Sequence, residues 1–511
     1  MRTRTLATAI AVTSACLAAG ALAPVAVAAP ADGRSASAAK APAAHPMDYN
    51  GDGYRDLVVN LPGNTDSAAG SAYAGGSVMV LYGSPQGVDT TKRKLIRTST
   101  EGIPGTPEGH DRFGHRTASG DFDKDGFTDL AVSTVGEDLT VNGTYRRNAG
   151  QNTIIWGGRN GLAKHGASTV QQSAPTSIDV RRGMALAAGD FNGDGAADLA
   201  AGDYSNGRGG DVLYGPFTRK GKPKSIASLG MKDGQTYVHP GLTAGDVTGD
   251  GISDLVLQVY PGRAGVQQRI ELLRGTSKGL VKAGTLKDAA GKDLVSLGAD
   301  DRQLGIGDLD RDGYGDIVLG DWRADHGDIP FSGRFTVVYG GKNGQATDRK
   351  PQVFTQDTEG VPGTVERDDY FGSSISVGDI NGDGYADVAA GSPVETVGGK
   401  SLAGRVTTLF GGPAGLTGQG AQVHDLDTAG VPGDMAANDL FGRVVKLIDM
   451  NRDGRSELVA GAPGEYPAVG RYSVLPGTTQ GLTGQGSKTF GPADLGLRAV
   501  PETGFGETLG N

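Results

Sequence analysis

The stretch Asp379-Ile380-Asn381-Gly382-Asp383-Gly384-Tyr385-Ala386-Asp387 decides the reading of this chain. Its pattern, D-x-[DN]-x-D-G-x-x-D, recurs in full at Asp48, Asp121, Asp190 and Asp308, and with one substitution each in the copies that begin at Asp246 and Asp449. Position 3 is Asn50, Asp123, Asn192, Thr248, Asp310, Asn381 and Asn451, and position 5 is Asp52, Asp125, Asp194, Asp250, Asp312, Asp383 and Asp453. Alternate positions 1, 3 and 5 therefore carry short oxygen side chains that can converge on one point. Position 6 is glycine in every copy, which permits the sharp turn that brings position 9 back to that point. Position 9 is Asp56, Asp129, Asp198, Asp254, Asp316, Asp387 and Glu457. Three or four acids in nine residues repel one another unless a cation neutralises them. An all-oxygen cage favours calcium over zinc or copper, which prefer nitrogen and sulfur. Up to seven calcium ions are expected.

A single copy of such a loop would be an ordinary Asp/Gly surface turn; seven copies with the same offsets are not. An EF-hand is excluded by position 12, where it needs an acid. Here that position is Val59, Val132, Ala201, Leu257, Leu319, Ala390 and Ala460. These residues sit in short apolar runs, so each loop is expected to lead into a buried strand.

The loops are 73, 69, 56, 62, 71 and 70 residues apart, which marks a repeat array. Each unit adds an alternating strand that ends in glycine, such as Gly404-Arg405-Val406-Thr407-Thr408-Leu409-Phe410-Gly411, followed by a glycine-containing turn. Strand, loop, strand, hairpin and further strands make one four-stranded blade. Seven units predict an all-β, seven-bladed propeller over residues 47–511. A linear solenoid is the competing architecture, but it would need distinct capping repeats. Units 2, 6 and 7 open with Phe113-Gly114, Phe371-Gly372 and Phe441-Gly442, and unit 1 lacks this element. The matching piece, Phe505-Gly506, lies at the other end, so the C-terminal strand is expected to complete the first blade and close the ring.

Phe-Gly, the aspartate loop and then Gly461-Ala462-Pro463 resemble the FG-GAP repeat of integrin alpha-subunit heads and secreted bacterial relatives. Unit 6 has Gly391-Ser392-Pro393 in the last place; units 3, 4 and 5 keep the loop but show Gly183-Met184, Gly241-Leu242 and Leu304-Gly305 for Phe-Gly. The resemblance implies calcium held between the first two strands of each blade by the side chains at positions 1, 3, 5 and 9 and the position-7 carbonyl. Thr248 is a neutral ligand and Glu457 a longer one, so these two sites depart from the pattern.

Residues 1–28 read as a secretory signal: Arg2 and Arg4, an apolar stretch from Leu6 to Ala23, and the small-x-small site Ala26-Val27-Ala28. A retained membrane anchor and a lipoprotein signal at Cys16 are the alternatives; the latter would need a Leu-like residue at Thr13. Cys16 is the single cysteine, so the mature chain has no disulfide and depends on packing and metal. Residues 29–46 are Ala/Pro/Ser-rich and read as a flexible leader. The formal charge is −10. It resides largely in the nine-residue loops and gives no sign of a basic partner; the absence of a basic stripe argues against nucleic acid.

Enzyme motifs are weak. Gly275-Thr276-Ser277-Lys278-Gly279 satisfies G-x-S-x-G, but it falls in the register of the hairpin turns. His110 and His115 flank Phe113; a solvated loop between units is the expected placement, with a role in a site as the alternative. Thr100-Glu101-Gly102-Ile103-Pro104-Gly105 recurs as Thr358-Glu359-Gly360-Val361-Pro362-Gly363 and Thr428-Ala429-Gly430-Val431-Pro432-Gly433. These segments predict a shared loop conformation, with a common binding face as the functional alternative. The expectation is a secreted, monomeric calcium-binding propeller without a membrane span, acting as a binding or adhesion module for an extracellular protein or carbohydrate. A polysaccharide lyase or hydrolase on the same scaffold and a structural surface protein are the alternatives.

Overall fold

The computed structural model describes residues 46–63, 75–175, 177–204, 209–230, 237–260, 268–295, 303–465, 469–499 and 504–510. The expected signal and all but the last residue of the expected leader lie outside the described residues.

Strands group into consecutive antiparallel sheets in chain order. Blade 2 is Phe113–Gly120, Asp129–Thr134, Gln151–Ile155 and Ala167–Thr169. Blade 3 is Ala185–Gly189, Asp198–Gly202, Gly210–Tyr214 and Ser225–Ser228; blade 4 is Tyr237–Gly245, Asp254–Tyr260, Arg269–Arg274 and Val281–Thr285. Blade 5 comprises Leu304–Gly307, Asp316–Asp321, Arg334–Val338 and Gln352–Phe354, and blade 6 Ser374–Gly378, Asp387–Ser392, Arg405–Phe410 and Thr417–His424. Blade 7 is Val445–Ile448, Glu457–Ala462, Arg471–Leu475 and Lys488–Phe490. Blade 1 takes Leu57–Leu61, Ser77–Leu81 and Arg93–Ile96 from the start of the array. Its fourth member comes from the far end: Leu509 bridges Val59 in antiparallel sense, and Gly510 N–H donates to the Val58 carbonyl at 2.8 Å.

The second strand of a blade is an apolar run because it is covered on both faces; Asp387–Ser392 and Glu457–Ala462 are buried throughout. The side chains on these faces form seven apolar clusters, one at each junction between blades. The seventh decides between ring and solenoid. It packs Leu57, Val59 and Met79 of blade 1 against Val459, Tyr472 and Val474 of blade 7, with Phe505 between them. A solenoid would leave both terminal faces bare.

The Phe-Gly elements explain how one blade is set on the next. Phe113, Phe371, Phe441 and Phe505 are all buried. The glycine that follows is left-handed in each, as at Gly442 (φ 83°) and Gly506 (φ 86°). A Cβ at Gly391 would lie 2.1 Å from the Gly442 carbonyl oxygen, and one at Gly461 would lie 2.2 Å from that of Gly506. The C-terminal Phe-Gly thus occupies the same structural place as the internal ones.

The three Thr-x-Gly-x-Pro-Gly segments share one turn. Thr100, Thr358 and Thr428 each accept a backbone N–H three residues earlier on the hydroxyl oxygen, at 2.9 Å in every case. Residues Gly275 to Gly279 form a tight turn, Gly279 N–H donating to Thr276 O at 2.7 Å. The placement of the histidines needs correction: His110 is in the exposed loop, but His115 lies on the first strand of blade 2 and is buried. Phe-Gly starts the strand here, so the residue two beyond it already belongs to the sheet.

Candidate metal centres

In blades 2 to 7 the nine-residue loop joins the first strand to the second, and in blade 1 it leads into the strand Leu57–Leu61 that Leu509 bridges, so all seven loops precede equivalent strands and lie on one face of the ring. Position 6 is left-handed in all seven, from 79° at Gly195 to 92° at Gly53. Position 4 is left-handed too, and three of its residues are not glycine: Lys124 (66°), Arg311 (58°) and Arg452 (61°). A side chain in that region costs about 1 kcal/mol. The long cations there reach toward the next blade: Lys124 Nζ donates to Asp194 O at 2.6 Å and Arg311 Nη1 to Asp383 O at 3.3 Å.

Position 2 anchors the loop from beneath. Tyr49, Phe122, Phe191, Val247, Leu309, Ile380 and Met450 are all fully buried. Loops are also stitched to one another, since the N–H at position 8 donates to the position-1 carbonyl of the preceding blade. The series runs Thr128 to Asp48, Ala197 to Asp121, Ser253 to Asp190, Gly315 to Asp246, Ala386 to Asp308 and Ser456 to Asp379.

The position-1 aspartate turns inward and organises the loop. In the blade-6 copy Asp379 accepts Gly382 N–H at 2.7 Å and Gly384 N–H at 2.9 Å. Asp383 accepts Tyr385 N–H and Asn381 accepts Asp383 N–H, both at 2.9 Å.

Position 9 has a second task that the sequence did not reveal. Asp387 accepts Ile380 N–H on one oxygen at 2.8 Å and Gly411 N–H on the other at 2.9 Å. Asp56, Asp129, Asp198 and Asp316 do the same with the N–H of position 2 and of Gly83, Gly157, Gly215 and Gly340. This carboxylate therefore ties the loop to the end of the third strand. The glycine at that end is required: a Cβ at Gly411 would stand 2.3 Å from the Ala386 carbonyl oxygen. Two loops deviate. In blade 4 it is Thr248 N–H, at position 3, that bonds Asp254, because Val247 N–H turns to Gly245 O. In blade 7 the longer Glu457 bonds Met450 N–H at 2.8 Å.

Burial pushes these position-9 carboxyls up despite their N–H donors, and the other acids of the loop push the same way. Asp56 and Asp129 reach about 8. Asp198, Asp316, Asp387 and Glu457 reach about 7, and Asp254 is also raised. A cation in the loop relieves both causes. The acids of three loops converge most closely: Asp121, Asp123 and Asp129; Asp308, Asp310 and Asp316; and Asp449, Asp453 and Glu457 each offer oxygens within 4.8 Å of one another. Asp123 Oδ1 is buried without a hydrogen-bond partner. The donor set is all oxygen and mostly anionic, so the loops fit a hard divalent cation. In the other four loops position 3 is Asn or Thr, and among the described residues their three acids do not draw together to this extent.

The FG-GAP repeat profile matches residues 113–152 and 371–409, the parts of blades 2 and 6 from Phe-Gly to the third strand. Rat phosphatidylinositol-glycan-specific phospholipase D is 33% identical over 156 residues, 30% of this chain and 17% of that protein. Integrin alpha pat-2 of Caenorhabditis briggsae is 29% identical over 232 residues, 43% of this chain and 17% of that protein. The matches thus span about a sixth of these relatives' length. Among solved structures, AofleA from Arthrobotrys oligospora aligns over 74% of this chain and 86% of its own, at 10% identity and a TM-score of 0.34. Repeat profile, sequence relatives and ring architecture agree: the chain is a seven-bladed β-propeller that carries FG-GAP repeats in blades 2 and 6 and is similar in sequence to parts of integrin alpha chains.

Proposed function

We propose that the protein is a secreted, monomeric, calcium-stabilised propeller that acts as an extracellular binding or adhesion module for a protein or glycan. The observation that carries the calcium reading is the buried acid at position 9, repeated in all seven loops among further carboxylates. Its ligands are the side chains at positions 1, 3, 5 and 9 of each loop. Calcium supplies charge neutralisation there. The chain's own residues do the rest: position 1 and position 5 fix the loop's backbone, position 2 anchors it in the core, and position 9 joins it to the third strand. With calcium about tenfold above a Kd of roughly 10⁻⁴ M, each site contributes about 1.4 kcal/mol, so seven sites supply on the order of 10 kcal/mol.

The binding role rests on the likeness to integrin alpha chains and on a rigid ring whose metal loops leave the opposite face free for recognition. Secretion rests on the basic and apolar start of the sequence. No helix among the described residues is long and apolar enough to cross a membrane. Thermal unfolding with excess chelator, then with calcium or magnesium added back, tests the metal reading: Tm should fall sharply and recover better with calcium. An unchanged melting curve and no metal in the purified protein would overturn it. A glycan array and a screen of extracellular matrix proteins, each run with a polysaccharide-degradation assay, test the binding reading. Degradation without retained binding would replace it with an enzyme.

A further inference from the structure

In two of the seven loops a cation supplied by the chain is paired with the acid at position 3. Arg219, from the segment between the third and fourth strands of blade 3, reaches the loop of blade 2. Its Nε pairs with Asp123 Oδ2, and its Nη2 with Asp125 Oδ2 at 2.6 Å. The guanidinium lies over the Trp156 ring, 4.8 Å from its centre. Arg349, in the corresponding segment of blade 5, pairs with Asp310 of that blade's own loop and lies 3.2 Å from the centre of the Tyr339 ring. Trp156 and Tyr339 hold equivalent places, each preceding the glycine that bonds the position-9 acid. The carboxylates reached are the inner ones: the side chains of Asp123 and Asp310 are only 9% and 6% exposed.

The sequence pattern coincides with this geometry. Position 3 is aspartate only in the loops of blades 2 and 5; elsewhere it is Asn or Thr. Among the described residues, the fourth carboxylate and an arginine that is both paired with position 3 and stacked on a ring therefore occur together in these two loops. Lys224 and Arg455 also meet loop acids, Asp194 and Asp453, but at position 5 on the rim, where the acid is 26% and 34% exposed. They leave position 3 untouched. In the loops of blades 1 and 6 the position-5 acid is bonded instead by the neutral amide of Asn50 or Asn381.

We infer that Arg219 and Arg349 are internal counter-cations that compete with the metal ion for position 3, dividing the seven loops into two classes. An ion entering blade 2 or blade 5 must displace a guanidinium that is bonded to an aspartate and stacked on an aromatic ring. Among the described residues, the remaining loops present no guanidinium at position 3. Blades 2 and 5 are then the sites that fill last and empty first, and in the metal-free protein their acids stay neutralised. A partly exposed arginine paired with a buried carboxylate and stacked on a ring is worth enough to weaken these two sites roughly five- to tenfold.

This inference rests on the proposed calcium loops, and the test separates the two. Calcium binding is counted by equilibrium dialysis with metal analysis on the full-length protein, wild type and Arg219→Gln/Arg349→Gln. The expected wild-type curve has two sites that fill at roughly five- to tenfold higher calcium than the rest; in the double variant these two move to lower calcium. The chain has two tryptophans, so Trp322→Phe leaves Trp156 as a local reporter for blade 2. Its fluorescence should change only over the weak phase, and Arg219→Gln should shift that phase to lower calcium. A wild type that fills all loops in one phase, or a variant whose weak phase is unmoved or moves to higher calcium, overturns the inference while the calcium reading stands. If neither protein binds calcium, both are overturned. If the double variant does not fold, Arg219→Gln alone in the Trp322→Phe background decides by the same shift.

Discussion

Removing residues 504–511 is expected to destabilise the whole ring, although the deletion touches no acid of the seven loops. Phe505 is fully buried, its ring 4.9 Å from that of Tyr472 and 6.2 Å from that of Phe490. It belongs to the cluster that joins blade 7 to blade 1, so its loss opens the junction that makes the array a ring. Phe505→Ala alone should cost about 3–5 kcal/mol, the range for emptying a buried phenylalanine site. The deletion also breaks the 2.8 Å bond from Gly510 N–H to Val58 O, the 2.9 Å bond from the Thr508 hydroxyl to Asn60 O and the 2.8 Å bond from the Tyr472 hydroxyl to Thr508 O. Each contributes about 1 kcal/mol, partly offset by the chain entropy that is released. It further leaves the Lys446 amine without the Gly510 carbonyl and the edge of blade 1 without its bridge partner. Thermal unfolding in saturating calcium is the assay, with Phe505→Ala as the intermediate case. Glu507→Ala is the control. Glu507 meets Arg443 at 3.0 Å but is 39% exposed, so its loss should cost less than about 1 kcal/mol. If the truncated protein melts within about 1 °C of the full-length protein, the terminus is a tail and the closed ring is wrong.

Asp387→Ala should destabilise by about 2–4 kcal/mol with or without calcium, because Ile380 and Gly411 lose the acceptor of their N–H groups. Asp383→Ala should act mainly in calcium, and Thr248→Ala should cost less than either; chelator and calcium melts of the three variants check the order. Gly411→Ala should cost more than about 3 kcal/mol or prevent folding, since its Cβ would meet the Ala386 oxygen at 2.3 Å; soluble yield and Tm report it. In blades 6 and 7 a glutamate after the second strand pairs with an arginine, Glu395 with Arg405 at 2.8 Å and Glu465 with Arg471 at 3.5 Å. Blade 2 has Gln151 at that arginine's place, and burial, with Asp111, Glu108 and Asp138 nearby, pushes Glu137 up to about 7 from an ordinary 4.5. Between those values the folded chain keeps a proton that the unfolded chain has released. The group's contribution to stability is therefore present at low pH and lost as pH rises through about 7. Glu137→Gln should raise Tm at pH 8 by about 1–2 °C and leave it unchanged near pH 4.5, as melts across that range in constant calcium would show.

The sequence by itself determined the number of blades, the acidic pattern of the loops and the segment that closes the ring. Seven copies of a nine-residue pattern leave little freedom, because ligand offsets and an obligatory glycine are local properties of the backbone. Apolar residues at position 12 marked the second strands, and Phe505-Gly506 matched the elements missing from unit 1. Only the tertiary structure decided what lies around each loop. The double acceptor role of Asp387 depends on Gly411, which is distant in sequence and brought close by pairing of the second and third strands. The same holds for Arg219, which belongs to blade 3 and acts in blade 2. His115 was misplaced because a Phe-Gly step can open a strand as readily as it can end a loop, and only sheet pairing tells the two apart. Position 2 of each loop read as an arbitrary residue, yet all seven are buried. The signal was present in Tyr49, Phe122, Phe191, Val247, Leu309, Ile380 and Met450, but its meaning requires the neighbouring blade against which they pack.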